Sequence, residues 1–265
     1  MKYRALLKKT FFEILRDPVV YVFCVCMPIL MIFLFAIINH YTNGTTQIFE
    51  MESLIPGIIV FSFSFITLTF SLTISKDMKS AVLRRIYIAP IKTRHILICY
   101  LVVGIVGSFI QEILAILTGF IVSLILKTTY FNIISAFMLI LVNIPISLIF
   151  IFLGIILGML LSDTAAPGVS SILISASGIL GGAWMPIESM GGFMIISSFL
   201  PFYPAVYLGR FATGAKTVFN EPYNFNSSNW YYLLVLILYM IILCSLASII
   251  TQKKAINIQY KIGEN

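Results

Sequence analysis

The residues able to do chemistry in this chain are few, and their spacing builds no catalytic centre. Its two histidines, His40 and His95, lie far apart at the ends of apolar stretches. Neither H-E-x-x-H nor G-x-S-x-G occurs. A membrane-embedded hydrolase needs a nucleophile beside a base or a metal set, and neither can be assembled. Cys24, Cys26, Cys99 and Cys244 sit in or beside apolar runs with no C-x-x-C spacing, so they read as small hydrophobes. Gly209–Thr217 reads GRFATGAKT, one residue longer than a P-loop. A phosphate cradle requires Gly directly before Lys and a preceding strand. Here Ala215 intervenes and no strand is predicted, so no nucleotide site is expected on this chain.

Two concentrations of chemistry remain. Glu112, with Gln111 and Ser108, makes a polar spot in an otherwise apolar stretch. A charge at bilayer depth costs at least about 2.5 kcal/mol, so this acid must face protein or water. It is either a substrate-path or subunit-interface residue, or a hydrogen-bonded structural acid. The second concentration is SKDMKSAVLRRIYIAPIKTRH, Ser75–His95, with six Lys or Arg. Leu83, Ile86, Tyr87 and Pro90 fall at i, i+3, i+4 and i+7, one helical face flanked by Arg84 and Arg85. Pro90 disfavours the helix at Ala89 and ends it. The pattern predicts a basic amphipathic helix, which suits either a cytoplasmic partner or the headgroup layer.

The elements that must position these residues are membrane spans. Of 265 residues, 60% are hydrophobic and only 10% charged, and mean hydropathy is +1.05. A soluble domain would be roughly a quarter charged, so lipid must solvate most of this surface. The net charge of +7 reflects basic residues beside apolar runs, which points to anionic headgroups and topology rather than nucleic acid.

Residues 1–18 place Tyr3, Leu6, Leu7, Phe11, Ile14 and Leu15 on one helical face with charges between them. An interfacial helix is therefore predicted, ended by Asp17-Pro18, where Asp17 can cap the next helix and Pro18 open it. Six spans follow in residues 19–265, at about 19–39, 53–75, 96–126, 132–161, 168–186 and 230–250. The first is too long for the core of a signal peptide. The third and fourth are over-long, so tilt or protruding ends are expected, with Pro145 a kink site. Gly154-x-x-x-Gly158 and the pair Gly104 and Gly107 allow close helix approach, within the chain or between copies. The segment from Pro186 to Asn229 is too apolar for a solvated loop and too broken by Pro and Gly for a span. Its first part, about 187–210, reads as re-entrant helices. Segments 1–18, 76–95 and 251–265 hold 14 of the 17 Lys/Arg, which puts both termini in the cytoplasm of a multi-pass cell-membrane protein. The fold class expected is an all-α polytopic membrane protein. The abundance of Ile, Lys and Asn suits an AT-rich, bacterial genome.

The layout resembles the membrane subunit of an ABC-2 type transporter, the permease half of type V ABC exporters. The likeness rests on Arg16-Asp17-Pro18, on Leu54-Ile55-Pro56-Gly57, on Arg85-Ile86-Tyr87-Ile88-Ala89-Pro90, and on Gly182-Ala183-Trp184-Met185-Pro186 followed by Pro201 through Arg210. It implies a dimer of six-helix permeases, homo- or heterodimeric, with two cytoplasmic ABC ATPase subunits bound beneath. ATP and Mg²⁺ would sit on those partners, with no cofactor on this chain, which is then a transport subunit and not itself an enzyme. The resemblance makes the Ser75–His95 loop a coupling helix, so Asp77, Lys79, Leu83, Arg84, Arg85, Ile86, Tyr87 and Pro90, with Arg16, are the coupling residues. Where the family often has an acid and Ser-Gly-Thr, this chain has Lys79-Ser80-Ala81-Val82, which would suit an acidic partner. Trp184, Pro186, Glu188, Pro201 and Tyr203 fall in the implied outer gate, and Glu112 on the substrate path. Few intramembrane charges suit a hydrophobic or amphipathic cargo such as a drug, peptide antibiotic or lipid. A lipid-linked polysaccharide permease, a channel or carrier, and a scaffold are the alternatives.

Overall fold

In hydrocarbon every backbone polar group must be satisfied within its own segment, which leaves helices as the economical solution for runs this apolar. A computed structural model describes residues 2–42, 47–79, 93–128, 130, 132–225 and 229–263, and these are overwhelmingly helical. Among them the sole β-pairing is an isolated bridge between Lys216 and Pro222.

Helix α1, Lys2–Arg16, precedes α2, Pro18–Tyr41. Asp17 caps α2 by accepting the Val19 N–H at 2.9 Å, with Pro18 in the first turn. The turn Tyr21–Cys26 widens to a π-helix. Two residues on, Pro28 has no N–H to offer the Cys24 carbonyl four positions back, and that carbonyl is satisfied from outside the helix, as described below.

Helix α3, Met51–Lys79, is the axis of the molecule. Its apolar window is 94% buried against the rest of the chain, whereas the windows of α2 and of the last helix are 22% and 17% buried. The outer helices therefore spend their apolar faces on lipid. A buried axis needs thin neighbours, and α3 supplies Ser and Thr whose hydroxyls fold back onto its own carbonyls, as at Ser62, Ser64, Thr69 and Ser71. Thr67 instead donates to the Phe150 carbonyl at 2.8 Å, and Ser71 bonds Ser170 at 2.8 Å.

Helices α4, Thr93–Leu126, and α5, Ile133–Leu160, pack on α3. At 34 residues α4 is roughly 50 Å long, so part of it must tilt or leave the hydrocarbon. Helix α5 continues through Pro145. Gly154 and Gly158 turn towards α3. A Cβ at Gly154 would lie 2.8 Å from the Phe70 Cβ, and one at Gly158 2.7 Å from the Ile74 Cβ. This small-residue seam is thus an intrachain contact.

Helix α6, Ala166–Leu180, covers 15 residues, roughly 22 Å, and is shorter than the 168–186 run read as a span. Gly181 and Gly182, the latter at φ +65°, turn the chain there. Helices α7, Gly192–Phe199, and α8, Phe202–Thr213, meet at a 90° bend. Helix α9, Tyr231–Gly263, closes the fold. Among the described residues five helices are long and apolar enough to cross a bilayer, or six if the bent α7–α8 pair is one span. The protein is an all-α polytopic membrane protein.

Candidate functional site

Pro201 starts α8, and its helical repeat then places Tyr203, Tyr207 and Arg210 at i, i+4 and i+7, one face. Gly214, at φ +75°, ends the helix in a left-handed cap. The following loop doubles back through Thr217 N–H to the Glu221 carbonyl, 2.7 Å, and Tyr223 N–H to the Ala215 carbonyl, 3.2 Å. That return brings Tyr223 against Arg210. Pro186 opens the short 3₁₀ turn Ile187–Ser189, which delivers Glu188 to the same place.

Arg210 is fully buried, and its fork is used from three sides. Nε donates to the Ser53 carbonyl at 3.1 Å, Nη2 to the Gly182 carbonyl at 2.7 Å, and Nη1 to the Tyr223 hydroxyl at 3.3 Å. Nη1 also lies 3.6 Å from Glu188 Oε1. One cation thus ties α8 to the start of α3, to the glycine turn after α6 and to the returning loop. Glu188 Oε1 accepts the Tyr223 hydroxyl at 2.5 Å and the Tyr203 hydroxyl at 3.3 Å. Burial pushes the Tyr223 phenol up, which keeps its proton available for that bond. Glu188 Oε2 is buried and has no hydrogen-bond partner among the described residues. Glu188 also lines a cavity of about 390 Å³, together with Tyr203, Tyr207, Tyr232, Glu221 and Asn229.

Of the residues expected at this end, Glu188 and Tyr203 meet in one network. Pro186 and Pro201 set its backbone breaks. Trp184 lies elsewhere, between Phe35 and Phe61 at ring separations of 5.8 and 4.9 Å. Arg210 and Tyr223 were not singled out from sequence. The available signal was an arginine one and two turns after two tyrosines in an apolar run. The P-loop-like segment Gly209–Thr217 is a helix C-terminus with a left-handed cap. Its free backbone groups are carbonyls, the wrong polarity for a phosphate.

Glu112 lies away from this network, inside the packing of one subunit. It is 2% exposed and accepts the Asn143 amide of α5 at 2.6 Å. Its neighbour Gln111 donates 3.0 Å to the Cys24 carbonyl, the group that Pro28 leaves open. The polar spot of α4 therefore clasps α5 on one side and the π-turn of α2 on the other. Asn143 is the partner that sequence reading missed, although it is the sole Asn or Gln in α5.

At the basic end, ion pairs hold the last turn of α3. Asp77 is 4% exposed and receives Lys9 of α1 at 2.7 and 2.8 Å, and Lys9 also pairs with Glu13 at 2.6 Å. Burial alone would lower the Lys9 ammonium, but the Asp77 and Glu13 carboxylates outweigh it and hold its pKa above the ordinary value. Lys76 lies 3.9 Å from Asp17, and Lys79 pairs with Asp163 of the α5–α6 turn at 2.7 Å. That hydrogen bond holds the Asp163 carboxyl below its usual range. The acids that Asp77 was expected to offer a partner, and Lys79 to seek in one, are thus engaged within the chain. Arg16 is exposed at the end of α1, 5.7 Å over the Phe12 ring. Leu83, Arg84, Arg85, Ile86, Tyr87 and Pro90 lie outside the described residues. Between α1, α2, α3 and α4 a cleft of about 140 Å³ is lined by Phe11, Tyr21, Cys24, Phe70 and Gly107.

Comparison with known proteins supplies the family. A sequence model of the ABC-2 type transporter family matches residues 1–213. No curated protein matches the chain.

Proposed function

The chain belongs to the ABC-2 type transporter family and is a membrane-spanning permease subunit of an ABC transporter; we propose that it moves a hydrophobic or amphipathic substrate outward, driven by a separate ATPase. Two permeases and two ATPase subunits would make the working complex, with the basic end in the cytoplasm. The observation that carries this reading is the ion-paired end of α3. Asp77, Lys76 and Lys79 tie it to α1, to the α1–α2 junction and to the α5–α6 turn. A push on the residues that follow Lys79 then reaches three elements at once rather than bending one helix, as coupling between distant sites requires. The apolar cleft beside α1 supports an apolar cargo, because its walls offer it almost no competing polar group.

The test lies in the segment that follows α3. Charge reversal of Arg84 and Arg85 with Leu83→Asp is expected to release a co-purifying ATPase while the permease still inserts. An ATPase that stays bound, with unchanged stimulation, would remove the docking assignment. Proteins that co-purify with the unaltered chain test the ATPase requirement itself.

A further inference from the structure

Helix α1 spends one side on the protein and leaves another bare. Leu6 and Thr10 are buried, and Lys9 turns to Asp77 and Glu13. Arg4, Lys8, Phe12 and Arg16, each four residues after the last, form an exposed row along the helix. Among the described residues no carboxylate lies within ion-pair distance of Arg4, Lys8 or Arg16. The one acid of α1, Glu13, is taken by Lys9, and Asp17 is taken by the α2 cap and Lys76. The Lys8 ammonium and the Arg16 guanidinium lie 5.8 and 5.7 Å from the Phe12 ring, which gathers both charges over one patch.

The row borders an apolar opening. Arg4, Lys8, Phe11 and Leu15 fall at i, i+4, i+7 and i+11, so they share a helical face. Phe11 and Leu15 are walls of the cleft of about 140 Å³ between α1, α2, α3 and α4. Tyr21, another wall residue, is half exposed and donates its hydroxyl to the Leu15 carbonyl at 2.6 Å. Helix α4 starts at the basic end with Thr93, and the cleft follows it from Val103 to Gln111, about 12 Å away from that end. Gly107 belongs to this wall, and a Cβ there would meet nothing within 4 Å. Cations beside an apolar slot match an anionic head that carries a hydrocarbon chain. An acidic peptide would leave the slot empty, and an uncharged apolar molecule would leave the cations unused.

We propose that α1 and the cleft form a site for one anionic phospholipid of the leaflet at the basic end, its head at Arg4 and Lys8 and an acyl chain between α1 and α4. The site goes beyond the transport function proposed above and does not depend on it.

The full chain in neutral detergent, without ATPase or nucleotide, is titrated with dioleoyl phosphatidylglycerol and dioleoyl phosphatidylcholine, and bound lipids are counted by native mass spectrometry. The first phosphatidylglycerol is expected to bind at least about fivefold more tightly, the effect of one basic residue beside an anionic head. Arg4→Gln with Lys8→Gln is expected to bring the two lipids together. Lys253→Gln with Lys254→Gln, towards the end of α9, is expected to keep the preference. Gly107→Leu, or Val106→Phe should it fail to insert, is expected to weaken both lipids by about a few fold. Soluble glycerol phosphate is expected not to displace either. Equal affinity for the two lipids overturns the proposal, as does a preference unchanged without Arg4 and Lys8 or lost equally without Lys253 and Lys254. Unchanged affinity in the cleft variant, or displacement by glycerol phosphate, overturns it too, since the chain then has no place in the binding. Any of these results leaves the permease reading standing, and an ATPase that never co-purifies leaves the lipid result standing.

Discussion

Glu112 and Arg210 meet the same difficulty, a charge-bearing group deep in an apolar chain, and the chain resolves it in two ways. Arg210 spreads its charge over two carbonyls, a phenol and a carboxylate. Glu112 takes a single amide, Asn143. Removing one side of such a contact leaves the other unpaired, which costs more than the contact contributes. Glu112→Gln should therefore leave stability near that of the unaltered chain. Glu112→Ala should lose about 1–3 kcal/mol in a thermal or denaturant assay, because Asn143 keeps its amide buried. Transport that survives both changes assigns Glu112 to helix packing. The acid itself was legible as an isolated charge in an apolar run. Asn143 was not, because a partner 31 positions away shares no helical face with it and only tertiary packing joins them.

Helix α3 shows how element and sequence pattern part company. Its residues alternate large apolar groups with Ser and Thr and show no wet face, a pattern shared by a lipid-exposed span and a buried axis. The close approach of α5 decides between them. Gly154 and Gly158 let the α5 backbone rest on Phe70, Thr67 and Ile74 of α3. Gly158→Val is expected to force that seam apart and lower stability by about 1–3 kcal/mol, with unchanged subunit association. A change in oligomeric state without loss of stability would instead place the glycines between copies. The same logic accounts for α6. Its apolar run continues past Leu180, but Gly181 and Gly182 turn the backbone and free the Gly182 carbonyl for Arg210.

On the scale of the whole molecule, polar contacts gather at two ends and one middle layer, with apolar packing between. The basic end is held by ions. Lys9 has its pKa raised, so its pairing with Asp77 is complete below the ordinary lysine range and fails only as pH rises past it. A nitroxide placed at exposed Phe12 should report an immobile α1 at neutral pH and a mobile one in strong alkali. Lys9→Met should show the mobile spectrum already at neutral pH. If Lys9→Met leaves the spectrum unchanged, the apolar face of α1 alone docks the helix, and the ionic route from α1 to α3 is lost. Among the described residues the opposite end has no such ladder. One buried arginine organises it, binding two carbonyls, a phenol and a carboxylate.

What the sequence determined by itself was the solvent and the all-helical, multi-pass character of the chain. Apolar runs of bilayer length and basic flanks follow from transfer energies that act residue by residue, and Asp17-Pro18 marks a helix start with purely local chemistry. The tertiary structure decided which helix is the axis, which glycines are contacts, and which charges meet. Those answers depend on pairs such as Glu112 with Asn143, Lys9 with Asp77 and Arg210 with Glu188, distant in the chain and brought within reach only by packing. The unpaired Glu188 Oε2 belongs to the same class, since no local pattern records which of two oxygens the fold leaves without a donor.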